Sequence, residues 1–244
     1  MQAENTNPRI SLIICAHNEE KHIGECLRSV IKNSGGKLHE IIVVDNASTD
    51  RTKEIAESFP GVRVSHEKNK GLIRARAHGH TKAKGEILAF IDADTKMPPG
   101  WVDTVIDEFK KDKNLACLSG PYIYFDIPKW KQALVAVYWH GLAFPIYLLV
   151  GFMAVGGNFA IRKDVLDKMG GFDTSIEFYG EDTNIARRAS KFGKVKFKLS
   201  MPMHTSGRRL THHGIFKTSA LYISNFLSEV IWHKPITKKY KDVR

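Results

Sequence analysis

The stretch Ile87-Leu88-Ala89-Phe90-Ile91-Asp92-Ala93-Asp94-Thr95 constrains this chain more than any other. Five apolar residues in a row read as a buried strand. The run then breaks into two aspartates, with Pro98-Pro99-Gly100 close behind, which is where a strand of an open α/β sheet ends and turns back. Carboxylates at the carboxyl edge of a central strand stand where such sheets bind their ligands. Alternation puts Asp92 and Asp94 on one side of an extended chain and Ala93 on the other. Two like charges so close repel. A hard divalent cation that also carries phosphate oxygens would relieve them while needing only one or two protein carboxylates. The plainer alternative is an Asp-rich turn that caps the following helix, Trp101 to Lys111.

The chain upstream repeats this texture. A strand from Ile10 to Cys15 ends in Ala16-His17-Asn18-Glu19-Glu20, and a helix follows from Lys21 to Lys32. A second strand, Glu40 to Val44, runs into Asp45-Asn46-Ala47-Ser48-Thr49-Asp50 and a helix from Thr52 to Phe59. Val62 to His66 is a shorter strand, and Gly71 to Ala83 is helical despite Gly79. Such alternation with short connections is the signature of a mostly parallel sheet covered on both faces. A length of 244 residues suits one large α/β domain and is too short for two full-sized ones.

The first βα turn lacks the GxGxxG pattern of dinucleotide-binding folds, and no GxxxxGK[ST] occurs. Carboxylates and side chains can still hold a nucleotide. Asp45, at the end of a buried strand, is placed to accept a hydrogen bond from a base N–H, with helix capping as the alternative. Glu19 or His17, in the loop that Ala16 and Asn18 share, could meet the ribose or base. Lys70, Gly71 and Arg74 surround the start of a helix just before the Asp-Ala-Asp strand, where positive charge favours phosphate. Lys68 and Arg76 belong to the same basic cluster, with ordinary solvated helix charge as the alternative for these two.

The formal net charge of +11 is uneven. From Arg187 to Arg244 there are 14 Lys or Arg against two acids, and the remaining 186 residues are nearly neutral. No zinc-finger spacing or RNP-type aromatic motif supports a nucleic-acid partner. An anionic membrane surface is the expected partner, because aromatic and aliphatic residues are mixed among the bases. Ala133 to Ile161 is 29 residues without a Lys, Arg, Asp or Glu. Its length permits a membrane span, but His140, Pro145, Gly151 and Gly156-Gly157-Asn158 interrupt it, so a buried or membrane-grazing helix pair is expected. The N-terminus, MQAENTNPRI, has no apolar signal region. The three cysteines, Cys15, Cys26 and Cys117, show no metal-ligand spacing and read as reduced core residues of a cytoplasmic protein.

Three blocks carry a resemblance: PRISLIICAHNEE, then IIVVDNASTD, then NKGLIRARAHGHTKAKGEILAFIDADT. Their order, spacing and text resemble the nucleotide-binding half of the family 2 nucleotide-sugar glycosyltransferases, whose fold is the single-domain GT-A type. The resemblance implies that Asp45 reads the base, usually uracil, that Glu19 lies near the nucleoside, and that Asp92 and Asp94 hold Mg²⁺ or Mn²⁺ against the donor diphosphate. Asn46 departs from the pattern, since many relatives carry a second Asp there. GGNFAIRKDVLDKMGGFDTSI resembles the acceptor side, with Gly157 and Asn158 before a short strand near the donor sugar. The family's Glu-Asp motif falls on Glu181 and Asp182, at the start of a helix from Asp182 to Phe192. It implies Asp182 as the base that takes the acceptor's proton and Glu181 as a residue orienting acceptor or helix.

After a strand from Lys194 to Leu199, Ser206, Arg208 and Arg209 resemble the SxRR loop that folds over the diphosphate in some members, with His204 a candidate third metal ligand or, equally, a structural histidine. His212 and His213 are expected to be solvated. The implied organisation is a GT-A domain over 1–215, with a nucleotide-binding half at 8–95 and an acceptor-side half at 96–215. Residues 216–244 then form a basic amphipathic segment, with aromatics at Phe216, Tyr222, Phe226 and Trp232. The implied activity is inverting transfer of a sugar from a nucleotide-sugar, UDP-linked, to a lipid-linked or glycan acceptor at the inner face of the membrane, in cell-envelope polysaccharide or glycolipid synthesis. A nucleotidyltransferase and a non-catalytic sugar-nucleotide-binding protein are the alternatives.

Overall fold

The computed structural model describes residues 7–176, 179–233 and 236–237. In chain order the first elements are β1 (Ile10–Ala16), α1 (Ile23–Ser34), β2 (Glu40–Asn46), α2 (Thr52–Glu57), β3 (Val62–Glu67), α3 (Leu72–Lys82) and β4 (Ile87–Asp92). Next come β5 (Thr95–Lys96), α4 (Trp101–Lys111), β6 (Leu115–Ser119), β7 (Tyr122–Tyr124), and α5 (Lys129–Tyr138) and α6 (Phe144–Val150) joined by a π turn at Trp139–Ala143. The chain continues through β8 (Asn158–Arg162), α7 (Lys163–Lys168), α8 (Glu181–Ala189), β9 (Lys194–Phe197), β10 (Met203–Thr205), α9 (Arg208–His213) and α10 (Ile215–Trp232).

Seven strands form one sheet in the order β3-β2-β1-β4-β8-β6-β9. All its pairings are parallel except those of β8, which runs antiparallel to both β4 and β6. The order reverses between β1 and β4, and ligands of open α/β sheets bind in the crevice at such a reversal. Register brings Ala16 opposite Asp45 and Cys15 opposite Asp92, so three strand ends finish level at that crevice. A small second sheet, β5-β10-β7, lies next to it in the chain, starting three residues after Asp92.

Alternation along the strands supplies both faces. Ile10, Leu12 and Ile14 pack with α1 and α4 on one side, while Ile13, Ile42 and Val44 pack with α3, α7 and α8 on the other. Gly79 is explained by proximity: a Cβ there would come within 2.5 Å of Ile13 Cγ2, so glycine lets α3 lie close on the sheet.

The uncharged middle of the chain is one helix rather than the expected pair, running from Lys129 to Val150. It is long and apolar enough to cross a membrane, yet almost none of it is buried. Pro145 has no N–H for the carbonyl one turn back, and the π turn just before it absorbs the mismatch, with Phe144 N donating to Trp139 O. A third apolar cluster holds the helix's inner side: Trp139, Phe144 and Tyr147 pack with Ala143, Met153, Val155, Phe197 and with Phe226 of α10. Helix α10 is also tied to α8, where Asn184 and Arg187 donate to the buried Glu229 at 3.0 and 2.9 Å. The side chains of His212, His213 and Phe216 and most of the basic tail after His233 lie outside the described residues.

Candidate active site

The loops after β1 and β2 are laced together at the crevice. Asp45 is buried, accepts from Ser48 N, and pairs with His66 Nδ1 at 2.8 Å. His17 Nδ1 meets the Asn46 carbonyl at 2.7 Å, and Asn18, at φ 52°, accepts from Thr49 N at 2.8 Å. Asn46 explains its own departure from aspartate. Its amide nitrogen donates to Glu67 O and Asn69 O while its oxygen accepts from Gly71 N at 2.7 Å, and a carboxylate could not make the two donations. That lacing fixes the Lys68 to Gly71 turn and sets exposed Lys70 and Arg74 at the start of α3.

The Asp92-Ala93-Asp94 carboxylates have different partners. β4 ends at Asp92, which accepts from the Tyr122 hydroxyl at 2.9 Å and lies 3.4 Å from Arg76 Nη2. Ala93 is buried, and beyond it Asp94 is buried and pairs with Arg208 at 3.0 Å. The same guanidinium grips both Glu19 oxygens, at 2.5 and 3.0 Å. Burial raises Asp94 above the usual carboxylate range against the pull of Arg208. His204 does not join the two aspartates: no three-ligand metal group occurs among the described residues. The reason lies in register, since β10 sets His204 opposite Lys96, past the turn that carries Asp94. Ser206 Oγ donates to Asp126 at 2.5 Å and Arg209 donates to the Tyr222 hydroxyl at 2.8 Å, so the two arginines of the loop diverge.

The second acid pair starts α8. Gly180, at φ 82°, turns the chain so that Glu181 and Asp182 stand at the helix N-terminus, whose partial charge favours anions. Glu181 Oε1 is bonded to Arg76 Nη1, while Oε2 is buried without a hydrogen-bond partner. Arg76 also donates to Gly156 O at 2.6 Å and lies over the Phe159 ring. One guanidinium, 2% exposed, therefore joins the strand end at Asp92 to the helix start at Glu181.

Two glycines permit this closeness. A Cβ on Gly156 would fall 2.3 Å from Glu181 Oε1, and one on Gly157 would fall 2.2 Å from Asp92 Oδ2. Burial pushes Glu181 up to about 7 despite Arg76. Asp182 is raised for the same reason, against a 2.8 Å bond from Thr183 N.

Arg76, a member of that basic cluster, is buried, so the alternative of solvated charge does not hold for it. It follows Ile73 by three residues and so shares the helix face that meets the sheet, a periodicity signal that outranks its charge. Asn158 lies away from the opening: fully buried, it accepts from Trp101 Nε1 and donates to Pro121 O and Met201 O, and so fastens three segments of the framework. Tyr122, which holds Asp92 in place, carries no distinguishing signal in the sequence.

The family model described as "Glycosyl transferase family 2" matches residues 11–170, which span β1 through α7. The chain belongs to glycosyl transferase family 2. Among curated proteins it is 27% identical over 173 residues to a dolichol-phosphate mannosyltransferase of Pyrococcus furiosus, covering 65% of this chain and 47% of that protein. The chain spans about a third to a half of the first curated relatives it matches. Among solved structures, a mannosyltransferase from Pyrobaculum calidifontis in complex with GDP-Man and Mn²⁺ superposes with a TM-score of 0.70 at 21% identity, covering 93% of this chain and 65% of that one. Glucosyl-3-phosphoglycerate synthase from Mycobacterium tuberculosis, in complex with Mn²⁺, uridine diphosphate and phosphoglyceric acid, gives 0.63 at 19% identity, covering 92% and 79%. These likenesses show that the family 2 chain has the GT-A type fold.

Proposed function

We propose that this family 2 protein is an inverting glycosyltransferase that moves a sugar from a nucleoside diphosphate to a hydroxyl of a lipid-linked or glycan acceptor. The observation that carries the reading is the shared guanidinium: Asp92 at the donor strand end and Glu181 beside Asp182 are held by one buried arginine. A donor diphosphate at the first carboxylates then lies within reach of a base at the second.

In this reading Asp45 accepts a hydrogen bond from the base, with the Ala16 to Glu19 loop beside the nucleoside and Lys70 and Arg74 facing the phosphates. Asp94 and Asp92 are the hard oxygen donors that suit Mg²⁺ or Mn²⁺. The chemistry of the Asp94 side fits such an ion, because a buried carboxylate beside Glu19 is paired with Arg208, a partly exposed positive group at the start of a short helix. When bound, the ion would neutralise charge on the departing diphosphate. Arg208, freed from Asp94, would turn to the same phosphates with Arg209. Asp182 accepts the proton of the attacking hydroxyl, and its raised affinity for protons suits a base. The unpartnered Glu181 Oε2 would be satisfied by a sugar or acceptor hydroxyl, because a buried acceptor without a donor is costly.

Uracil is the base implied by resemblance, while the structural neighbours carry both GDP-mannose and UDP. The site of action would be the cytoplasmic face of a membrane, in cell-envelope polysaccharide or glycolipid synthesis, where a lipid-linked acceptor is found. A panel of UDP-, GDP- and dTDP-sugars, assayed for nucleoside diphosphate release with and without lipid extract and EDTA, tests the reading. One sugar nucleotide should be turned over, with stimulation by the extract and loss in EDTA. Pyrophosphate release from a nucleoside triphosphate and a sugar phosphate would overturn it in favour of nucleotidyl transfer.

A further inference from the structure

The helix Lys129–Val150 turns the wrong kind of surface to water. Val137, Leu148 and Leu149 are 67%, 65% and 86% exposed, and Trp130 is 59% exposed. A helix on a soluble surface carries charged or polar residues on its outer face. Here no Lys, Arg, Asp or Glu occurs between Lys131 and Arg162, so nothing charged lies on that face past the first turn. Helix α10, which meets the same apolar cluster through Phe226, adds exposed Leu227, Ile231 and Trp232. Contiguous exposed apolar surface of this kind marks a docking site.

A transmembrane span is the wrong reading of the same residues. Trp139 Nε1 donates to Tyr122 O at 3.1 Å and its ring stacks on Phe197, while the Tyr147 hydroxyl donates to Val195 O at 3.3 Å. Crossing a bilayer would strip these side chains from the domain, so the helix is held lengthwise on its surface.

Charge identifies the occupant. The Lys129–Val150 helix has no acid, and the single acid of α10, Glu229, is buried against Arg187. Lys129 and Lys131 open the first helix and make its rim basic, and the sequence after His233 holds five bases and one acid in eleven residues. A second copy docked on this face would bring two basic rims together, whereas anionic headgroups complement them. Exposed Trp130 stands in the first turn of one helix and exposed Trp232 at the end of the other, and tryptophan favours the boundary between headgroup and acyl chain.

We propose that the outer face of the Lys129–Val150 helix, extended by the end of α10, is a docking surface that lies in the plane of an anionic lipid bilayer. The inference rests on the transferase reading for its purpose, because α10 is tied to the helix that Glu181 and Asp182 begin, through Glu229 and through the edge-on contact of Tyr222 with Tyr179. Docking in this way holds the base side of the site at headgroup level, where a sugar-accepting group on a lipid carrier would arrive.

The test uses the full chain with vesicles of equal phosphatidylglycerol and phosphatidylcholine, and with pure phosphatidylcholine. Partition onto the anionic vesicles should exceed that onto neutral ones at least tenfold. Bromine on the acyl chains should quench tryptophan emission in the unaltered chain, less so in Trp130→Phe. Replacing Leu148 and Leu149 together by Glu should lower partition at least tenfold while leaving the melting temperature and the hydrolysis of the sugar nucleotide in solution unchanged. Unaltered partition of that double variant would overturn the assignment. A dimer in sedimentation equilibrium that the double variant dissolves would overturn it in favour of a second copy. Absence of sugar-nucleotide turnover with intact vesicle binding would strike the transferase reading instead, and leave the surface standing.

Discussion

The two acid pairs of this site meet the same problem, buried negative charge, with counter-ions of opposite character. Arg76 is fixed: it comes from the middle of α3, is almost wholly buried, and is gripped by Glu181, Asp92 and the Gly156 carbonyl. Arg208 is removable: it comes from the first residue of a short helix after β10, is partly exposed, and spans Glu19 and Asp94 from outside. The contrast teaches that charge balance alone does not say where a ligand goes. A counter-ion built into the framework keeps two elements in register, whereas one on a loop can yield its place to a cation and a diphosphate.

The largest expected effect tests the removable side. Asp94→Asn should abolish transfer and weaken cation-dependent nucleotide binding while the urea-unfolding midpoint stays put, since burial already opposes the Asp94 charge and the amide oxygen of an isosteric Asn can still accept from Arg208. Arg76→Met should act differently, because removing one partner of a buried pair leaves an uncompensated charge and costs about 3–5 kcal/mol. Urea unfolding should show that loss, with Arg76→Lys in between, and an unchanged stability would break the distinction between the two arginines. Arg208→Ala should tighten cation binding in the absence of nucleotide by about tenfold, the scale of one charged hydrogen bond, and yet slow transfer. Calorimetry with Mn²⁺ alone measures the first half.

The smallest effect concerns pH. Burial raises Glu181 from 4.5 to about 7, so the folded state favours its protonated form. Its contribution to stability is therefore complete below the ordinary value and is lost as pH rises through about 7. Glu181→Gln should flatten that part of the stability profile, as read from melting temperatures between pH 5 and pH 9.

The half up to β4 was legible because parallel strands buried on both faces leave long apolar runs that stop abruptly at polar loops. Asp45, Asp92 and Asp94 stand where those runs end. The half after β4 was less so. The uncharged stretch suggested a helix pair because Pro145 normally breaks a helix, and nothing local announces that a π turn will carry the chain past it. Arg76 was read with the basic cluster of its neighbours, although its spacing from Ile73 pointed inward. Asn158 looked like a ligand contact by position next to the glycines, but the framework carbonyls and the Trp101 indole consume its amide. His204 depended on the register of a three-residue strand, which hydrophobic pattern does not specify.

The measurement that tests the division of labour most directly compares Asp182→Asn with Asp94→Asn in one preparation, by turnover and by calorimetric binding of the nucleoside diphosphate with Mn²⁺. Loss of a general base slows the chemical step by about 10² to 10⁴ without removing the donor site. Asp182→Asn should therefore bind the nucleotide as the unaltered protein does and fail in kcat, whereas Asp94→Asn should fail in both. Equal loss of nucleotide binding in the two variants would make Asp182 part of the donor site and contradict its assignment as the base.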